Sequence, residues 1–441
     1  MKLYEQQNKS ISCISGELIY VSNVFSASIG EIVYISTENN LVMEGEVLSI
    51  DKDTALIQVY GSARGISANT TTITFTNLLK QAPLSLKILN RSFDGSFAPI
   101  DNMPTYIPDK WASITGFPIN PSARIPPEEF IETGISSIDG LNTLVKGQKL
   151  PIFSCAGLPS KEVAAMILSN SRLRDRNKKF AVVFAALGLT FYEFSFYIDI
   201  IKSMKTNYVT FINMADDPVL QRLLAPRYAL TVSEYLAFDM GMDVLVLVTD
   251  MTNYCDALRE ISNAREELPG RRGYPGYLYS DLSSIYERAG RISGVEGSIT
   301  MIPIVTMPED DITHPIPDLT GYITEGQLVL SKELHSQGIF PPIDVLPSLS
   351  RLMQQGIGED RTRNDHRRIT NGLYKFYAKG VNLRKLEAIV GREGVPADDQ
   401  KLLEFATSFE AQFVNQHHER RTIIDTLEIG ISLLDEYKLT Y

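Results

Sequence analysis

The chain has 441 residues, 44% hydrophobic and 22% charged: material for several apolar cores and too long for one ordinary domain. Its 53 acidic against 42 basic side chains give a formal net charge of −11, which argues against a nucleic-acid binder held by phosphate contacts. Three cysteines without a C-x-x-C pair, and five histidines adjacent only at 417–418, argue against a disulfide framework or a zinc centre and favour a reducing cytosol.

The opening MKLYEQQNKS lacks the apolar centre of a secretory signal. Residues 11–75 alternate apolar and polar in short runs (GELIYVSN, GEIVYIST, TALIQVYG) broken by turn residues such as Asp51-Lys52-Asp53, which predicts a small β-barrel or sandwich. From 76 to 130 the sequence is irregular and carries Pro99, Pro104, Pro108, Pro118, Pro121, Pro126 and Pro127, as a linker would. Between 130 and 345, apolar runs at 150–154, 180–186, 208–213, 244–249 and 299–306 alternate with helical stretches at 160–174 and 256–267. Such runs fit parallel strands buried on both faces in right-handed βαβ units. The segment 180–192, FAVVFAALGLTFY, is too short for a membrane span and is expected to be a buried strand and turn. After Pro347 the strand runs are expected to cease. Leu402, Phe405, Phe409 and Phe413, then Ile424, Leu427, Ile431 and Leu434, repeat every three or four residues, as in helices. The expected units are a β-barrel (1–75), a central nucleotide-binding-type α/β domain (76–350) and a helical domain (351–441).

SCAGLPSK (154–161) stands where a phosphate loop, G-x-x-x-x-G-K-[ST], would link a strand to a helix. Such a loop needs glycines that aim N–H groups at phosphates, a lysine for the outer phosphates and a hydroxyl for magnesium. In the direct register Pro159 removes an N–H, Ser160 stands for the lysine and Lys161 for the hydroxyl. Shifted by one, Lys161 becomes the loop lysine, but Ser160 replaces the last glycine and Glu162 the hydroxyl. Neither register restores the chemistry. Asp250, ending the 244–249 run, stands where a magnesium-orienting carboxylate would, although a strand ending in Asp is also common without that role. Strand, loop, helix and strand-end acid together suggest a nucleotide-hydrolase core without its hydrolytic parts.

Long stretches make the pattern specific: EEFIETGISSIDGLNTLVKGQKLPIFS (128–154), VTDMTNYCDALREISNAREELPGRRGYPGYLYSDLSSIYERAGR (248–291), THPIPDLTGYITEGQLVL (313–330) and IDVLPSLSRLM (343–353). Together they resemble the non-catalytic B subunits of V-type and archaeal-type rotary ATPases, as far as about residue 370. In that family the B-type loop reads G-S-G-L-P; here Cys155 and Ala156 precede Gly157, Leu158 and Pro159. The catalytic subunits carry a glutamate after the next strand, where this chain has Leu189, which cannot act as a base. Glu193, the nearest acid, is expected to be a solvated or paired turn residue.

The resemblance implies a P-loop-NTPase-like multidomain α/β chain alternating with three catalytic A subunits in a hexameric head, beside central-stalk and peripheral-stalk subunits. It implies a cytoplasmic position, peripheral to a membrane reached only through the rest of the complex, and coupling of ATP synthesis or hydrolysis to proton or sodium transport. ATP or ADP would sit at the interface with the catalytic subunit, which holds the magnesium; the degenerate loop Gly157, Leu158, Pro159 and Ser160 would be inactive. Arg351, in PSLSRL, would serve that interface as an arginine finger in trans. The loop 270–277 (GRRGYPGY) would face the shaft in the ring interior. His314–Leu319 is expected to be an extended structural segment, and His417 and His418 to face solvent from a tail helix. Two other functions fit the same fold: an active homohexameric NTPase, whose intact loop and glutamate are missing here, and a nucleotide-sensing regulatory module.

Overall fold

The computed structural model describes residues 6–39, 41–61, 63–175, 177–391 and 394–440; the first five residues of the predicted 1–75 unit and Tyr441 lie outside them. Among the described residues, seven antiparallel strands between Gln6 and Leu79 form one sheet. Its inward side chains, Ile19, Val33, Ile35, Val47, Ile57, Val59, Ile73 and Phe75, enclose a separate apolar core. The short alternating runs thus bury one face each.

The central nine-stranded sheet holds β1 (Arg91–Asp94), β2 (Ile152–Ser154), β3 (Phe180–Leu189), β4 (Asn207–Met214), β5 (Asp243–Thr249), β6 (Ser298–Thr306), β7 (Gly326–Leu330) and β8 (Ile343–Ser350) in the order β8-β7-β2-β6-β5-β3-β4-β1, with the short strand Gly290–Arg291 paired antiparallel to β6 off this path. All neighbours along the path are parallel except β7 and β8. Along β3, Ala181, Val183, Ala185 and Leu187 enter one core while Val182, Phe184, Ala186 and Leu189 enter another. A continuously apolar strand is what a sheet covered on both faces demands. Helices α1 (Ser160–Asn170) and α2 (Phe191–Ser203) bury Val163, Ile167, Tyr197 and Ile201 on one face. Helices α3 (Val219–Glu234) and α4 (Met251–Ala264) bury Leu220, Tyr228, Tyr254 and Leu258 on the other. Each such side chain contributes about 1.5–3 kcal/mol by leaving water.

Three expectations need correction. The 76–130 stretch is more than a linker: Arg91–Asp94 extends the sheet beside β4, and Gln81–Leu84 pairs with Lys110–Ser113. Strand structure also continues through Pro347, because β8 is an edge strand, where a residue without an N–H is tolerated. His314–Leu319 is not extended: His314 caps α5 (Pro315–Ile323), with Pro315 at its first position, where the missing N–H has no helical partner to lose.

The tail packs α6 (His366–Val390), α7 (Ala397–Ser408) with a wider turn at Phe409–Val414, and α8 (Ile423–Glu436). Phe405, Phe409, Phe413, Leu427 and Leu434 share its core; Ile424, expected in the stripe, is exposed. His417 and His418 are exposed as expected, but on a turn rather than a helix, with the His418 ring 4.5 Å from that of Phe340.

The segment 132–143 joins this helical unit to the sheet. The Gly134 carbonyl accepts from Gln416 Nε2 (2.8 Å) and the Arg421 N–H (3.1 Å), and the Gly140 carbonyl from His366 Nε2 (2.9 Å) and Thr370 Oγ1 (2.8 Å). Within it Asp139 is fully buried, accepting from Thr133 and Gly134; burial pushes its carboxyl up to about 7 against those hydrogen bonds. Among the described residues no helix is long and apolar enough to cross a membrane.

Candidate functional site

Two places in the central sheet received the chemical expectations, and they lie at opposite ends of it. Strands β2, β3, β5 and β6 end side by side at Ser154, Leu189, Thr249 and Thr306. The loop 155–159 and the start of α1 sit there, as does Asp250. Arg351 follows the last residue of β8, and β8 runs antiparallel to β7 with Ser350 opposite Gly326, so Arg351 lies where the parallel strands begin.

At the loop end the chain turns from β2 into α1 through Gly157. Gly157 has φ +81°, a conformation that favours glycine, in open space. Three of the loop's N–H donors are used within the chain. Leu158 N–H donates to Cys155 O (3.3 Å) and Ser160 N–H to Leu158 O (2.8 Å); Pro159 has no N–H. Ala156 N–H donates to the carboxylate of Asp310 (3.2 Å), which is also paired with Lys332 and held below the usual carboxylate range by it. Burial and neighbouring Asp310 push the Cys155 thiol up, so it remains protonated at neutral pH.

Lys161 is equally committed: its ammonium pairs with Glu193. Glu193 occupies the third position of α2 in a capping box, accepting from Thr190 N–H (2.7 Å) while Thr190 Oγ1 accepts from Glu193 N–H (3.4 Å). Burial opposes its ionisation, but Lys161 and Thr190 outweigh it and hold the carboxyl below its ordinary value. The paired-residue expectation for Glu193 holds. Leu189 is buried in the core. Asp250 caps α4, accepting from Thr252 N–H (2.9 Å) and from Thr306 N–H (3.1 and 3.2 Å), and burial raises its pKa against these bonds. Residues that would meet a triphosphate here therefore present a proline, a facing carboxylate and a spent lysine, and they do not fit that anion. Asp310 and Lys332 were missed in the sequence; the strand-end signal used for Asp250 also applies to Asp310, four residues past β6.

The other end differs. Arg351 is exposed, its N–H donates to the Glu325 carbonyl (3.1 Å), and among the described residues its guanidinium has no hydrogen-bond or ion-pair partner. In contrast, Arg271 and Arg272 of the 270–277 loop are paired with Asp318 and with Glu309 and Asp311. That loop is a short helical turn at Arg271–Gly273 closed by Gly270 N–H to Tyr274 O (2.7 Å), and the two arginines are braced rather than loose.

Comparisons with known proteins agree with this architecture. Residues 11–77 match the ATP synthase alpha/beta family, beta-barrel domain; 134–350 match its nucleotide-binding domain; and 355–441 match the C-terminal domain of V and A type ATP synthase. A V-type ATP synthase beta chain from Geotalea uraniireducens (strain Rf4) is 61% identical over 439 residues, covering 100% of this chain and 99% of the relative. The solved structure of the ATP synthase subunit NeqB from Nanoarcheaum equitans superposes with a TM-score of 0.75 at 39% identity, covering 96% of this chain and 99% of that one. Three consecutive domain matches and near-complete coverage leave one assignment: the chain belongs to the ATP synthase alpha/beta family, in the V- and A-type branch that includes the V-type ATP synthase beta chain.

Proposed function

We propose that the chain is a non-catalytic B subunit of a V-type or A-type rotary ATPase head. It alternates with catalytic A subunits in a hexamer and supplies Arg351 to their ATP sites. The observation that carries this reading is the exposed guanidinium at the end of β8, which has no hydrogen-bond or ion-pair partner among the described residues, while Lys161 and Asp310 at the opposite strand ends are internally paired. Phosphoryl transfer spreads negative charge over the transferred group, and an arginine delivered from a neighbour stabilises it, worth on the order of 10³ to 10⁵ in rate.

ATP or ADP then sits at the interface with the catalytic subunit, with magnesium held by that partner. The loop of Gly157, Leu158, Pro159 and Ser160 binds no phosphate, because the Ala156, Leu158 and Ser160 N–H groups are engaged within the chain, Pro159 has none, and Lys161 is paired with Glu193. The braced 270–277 loop faces the central-stalk shaft, and peripheral-stalk subunits hold the head. The chain works at the cytoplasmic face of a membrane, helping to couple ATP synthesis or hydrolysis to proton or sodium transport. Its units divide near residues 75 and 350.

Reconstitution with a catalytic subunit tests this. The expected result is an alternating hexamer whose ATP turnover is lost in Arg351→Ala while assembly survives. Near-normal turnover in that variant removes the arginine role, and ATP hydrolysis by this chain alone makes it an active NTPase instead.

A further inference from the structure

An arginine that acts on a neighbour's substrate must be held by its own chain, yet the Arg351 side chain makes no hydrogen bond or ion pair among the described residues. Its backbone is held unusually well. Gln148, fully buried, donates from one amide nitrogen to Ser350 Oγ (2.9 Å) and to the Glu325 carbonyl (3.1 Å), while its Oε1 accepts from Val145 N–H (3.0 Å). Ser350 Oγ donates onward to the Thr143 carbonyl (2.9 Å). The Glu325 carbonyl also accepts the Arg351 N–H, so one oxygen receives both the clamp and the residue being placed. Glu325 is fixed in turn: its carboxylate accepts from Lys149 N–H (2.7 Å) and pairs with Lys149 Nζ (2.9 Å), which also reaches Glu287 (2.8 Å). Gln148 O accepts from Met301 N–H (2.9 Å), tying the clamp to β6 in the middle of the sheet.

We infer that Gln148 is the positioning residue of Arg351: with Ser350 and Glu325 it fixes the end of β8, so the guanidinium leaves the surface at one place and angle. The inference rests on the proposed role of Arg351. A primary amide suits the post because it offers two donors and one acceptor, and all are used. Truncating it leaves the Val145 N–H and the Ser350 hydroxyl short of a partner inside the protein, at the point where a displacement of about 1 Å is enough to cost up to a hundredfold in rate.

The test is a double-mutant cycle in the reconstituted complex, read by ATP hydrolysis. Gln148→Ala is expected to lower kcat about tenfold or more while KM for ATP moves less than about twofold, as for a group acting on the transition state alone. In the Arg351→Ala background, compared by single-turnover rates, the same change is expected to have less than about a twofold effect. Ser350→Ala is expected to reproduce the loss, and Ser350→Thr, which keeps the hydroxyl, to restore the rate; this pair carries the cycle if Gln148→Ala fails to fold. Equal losses in both backgrounds, or an unaltered rate in the Arg351 background, overturn the positioning role and leave the arginine role standing. Full turnover by Arg351→Ala itself overturns both.

Discussion

The two ends of the central sheet differ in one charged group, Arg351. Where the parallel strands finish, Lys161 meets Glu193, Asp310 meets Lys332 and the Ala156 N–H, and Asp250 is absorbed as a helix cap. Where they begin, Lys149 meets Glu325 and Glu287 and Lys146 meets Asp243, but the Arg351 guanidinium has no hydrogen-bond or ion-pair partner among the described residues, on a strand end held by hydrogen bonds. On the proposed reading, a nucleotide site is dismantled without altering the fold, because phosphate chemistry resides in N–H groups and one lysine that the chain can satisfy internally. A cation intended for another molecule has to remain unsatisfied in its own.

The sharpest way to break this contrast is at Arg351. Arg351→Ala is expected to reduce ATP turnover of the reconstituted complex by a factor on the order of 10³ or more, with the hexamer still eluting intact on gel filtration. Next in size is Gly326, opposite Ser350. It has φ +145°, and a Cβ there would lie 2.1 Å from the Leu349 carbonyl oxygen. Gly326→Ala should cost about 2–4 kcal/mol in urea unfolding, by forcing β7 and β8 apart, and should lower turnover with it.

A smaller, pH-dependent effect is expected at the helical clasp. Burial holds the His366 imidazole below its ordinary 6.5. The folded chain therefore binds fewer protons than the unfolded chain just beneath that pH, so this residue's contribution to stability is present above 6.5 and is lost as pH falls through it. Thermal midpoints of wild type and His366→Gln, compared at pH 7.5 and about pH 5.5, should show a shallower decline in the variant; parallel declines would assign the acid sensitivity elsewhere. The smallest effect is reserved for the loop. Lys161, half exposed and paired with Glu193, should tolerate replacement by Ala with a stability change under about 1 kcal/mol and with turnover of the complex within about twofold. A loss approaching that of Arg351→Ala would show that the loop still works.

Much of this was legible in the residues. The strands β2 to β6 announce themselves because burial on both faces leaves no room for polar alternation. What escaped followed other rules. Arg91–Asp94 is a short edge strand with one large apolar residue, Phe93, in the core, and its Arg91 pairs with Asp101, so it carries no apolar run. Pro347 marks the end of a central strand but is permitted at an edge. At the loop, the sequence told which groups were missing. It could not tell that Asp310 occupies the Ala156 N–H, since that contact spans 154 positions. Arg351 stood out through resemblance; its isolation is a property of three dimensions alone, as is the clamp of Gln148 beneath it.

The segment 132–143 gives this arrangement a mechanical consequence. Its Gly140 carbonyl is gripped by two side chains of the first tail helix, and its Thr143 carbonyl, one turn of chain later, tethers Ser350. Helical unit and arginine are therefore bolted to the two ends of a single short crank. On the proposed reading, a tilt of the helical unit would then be felt at Arg351 through this one segment.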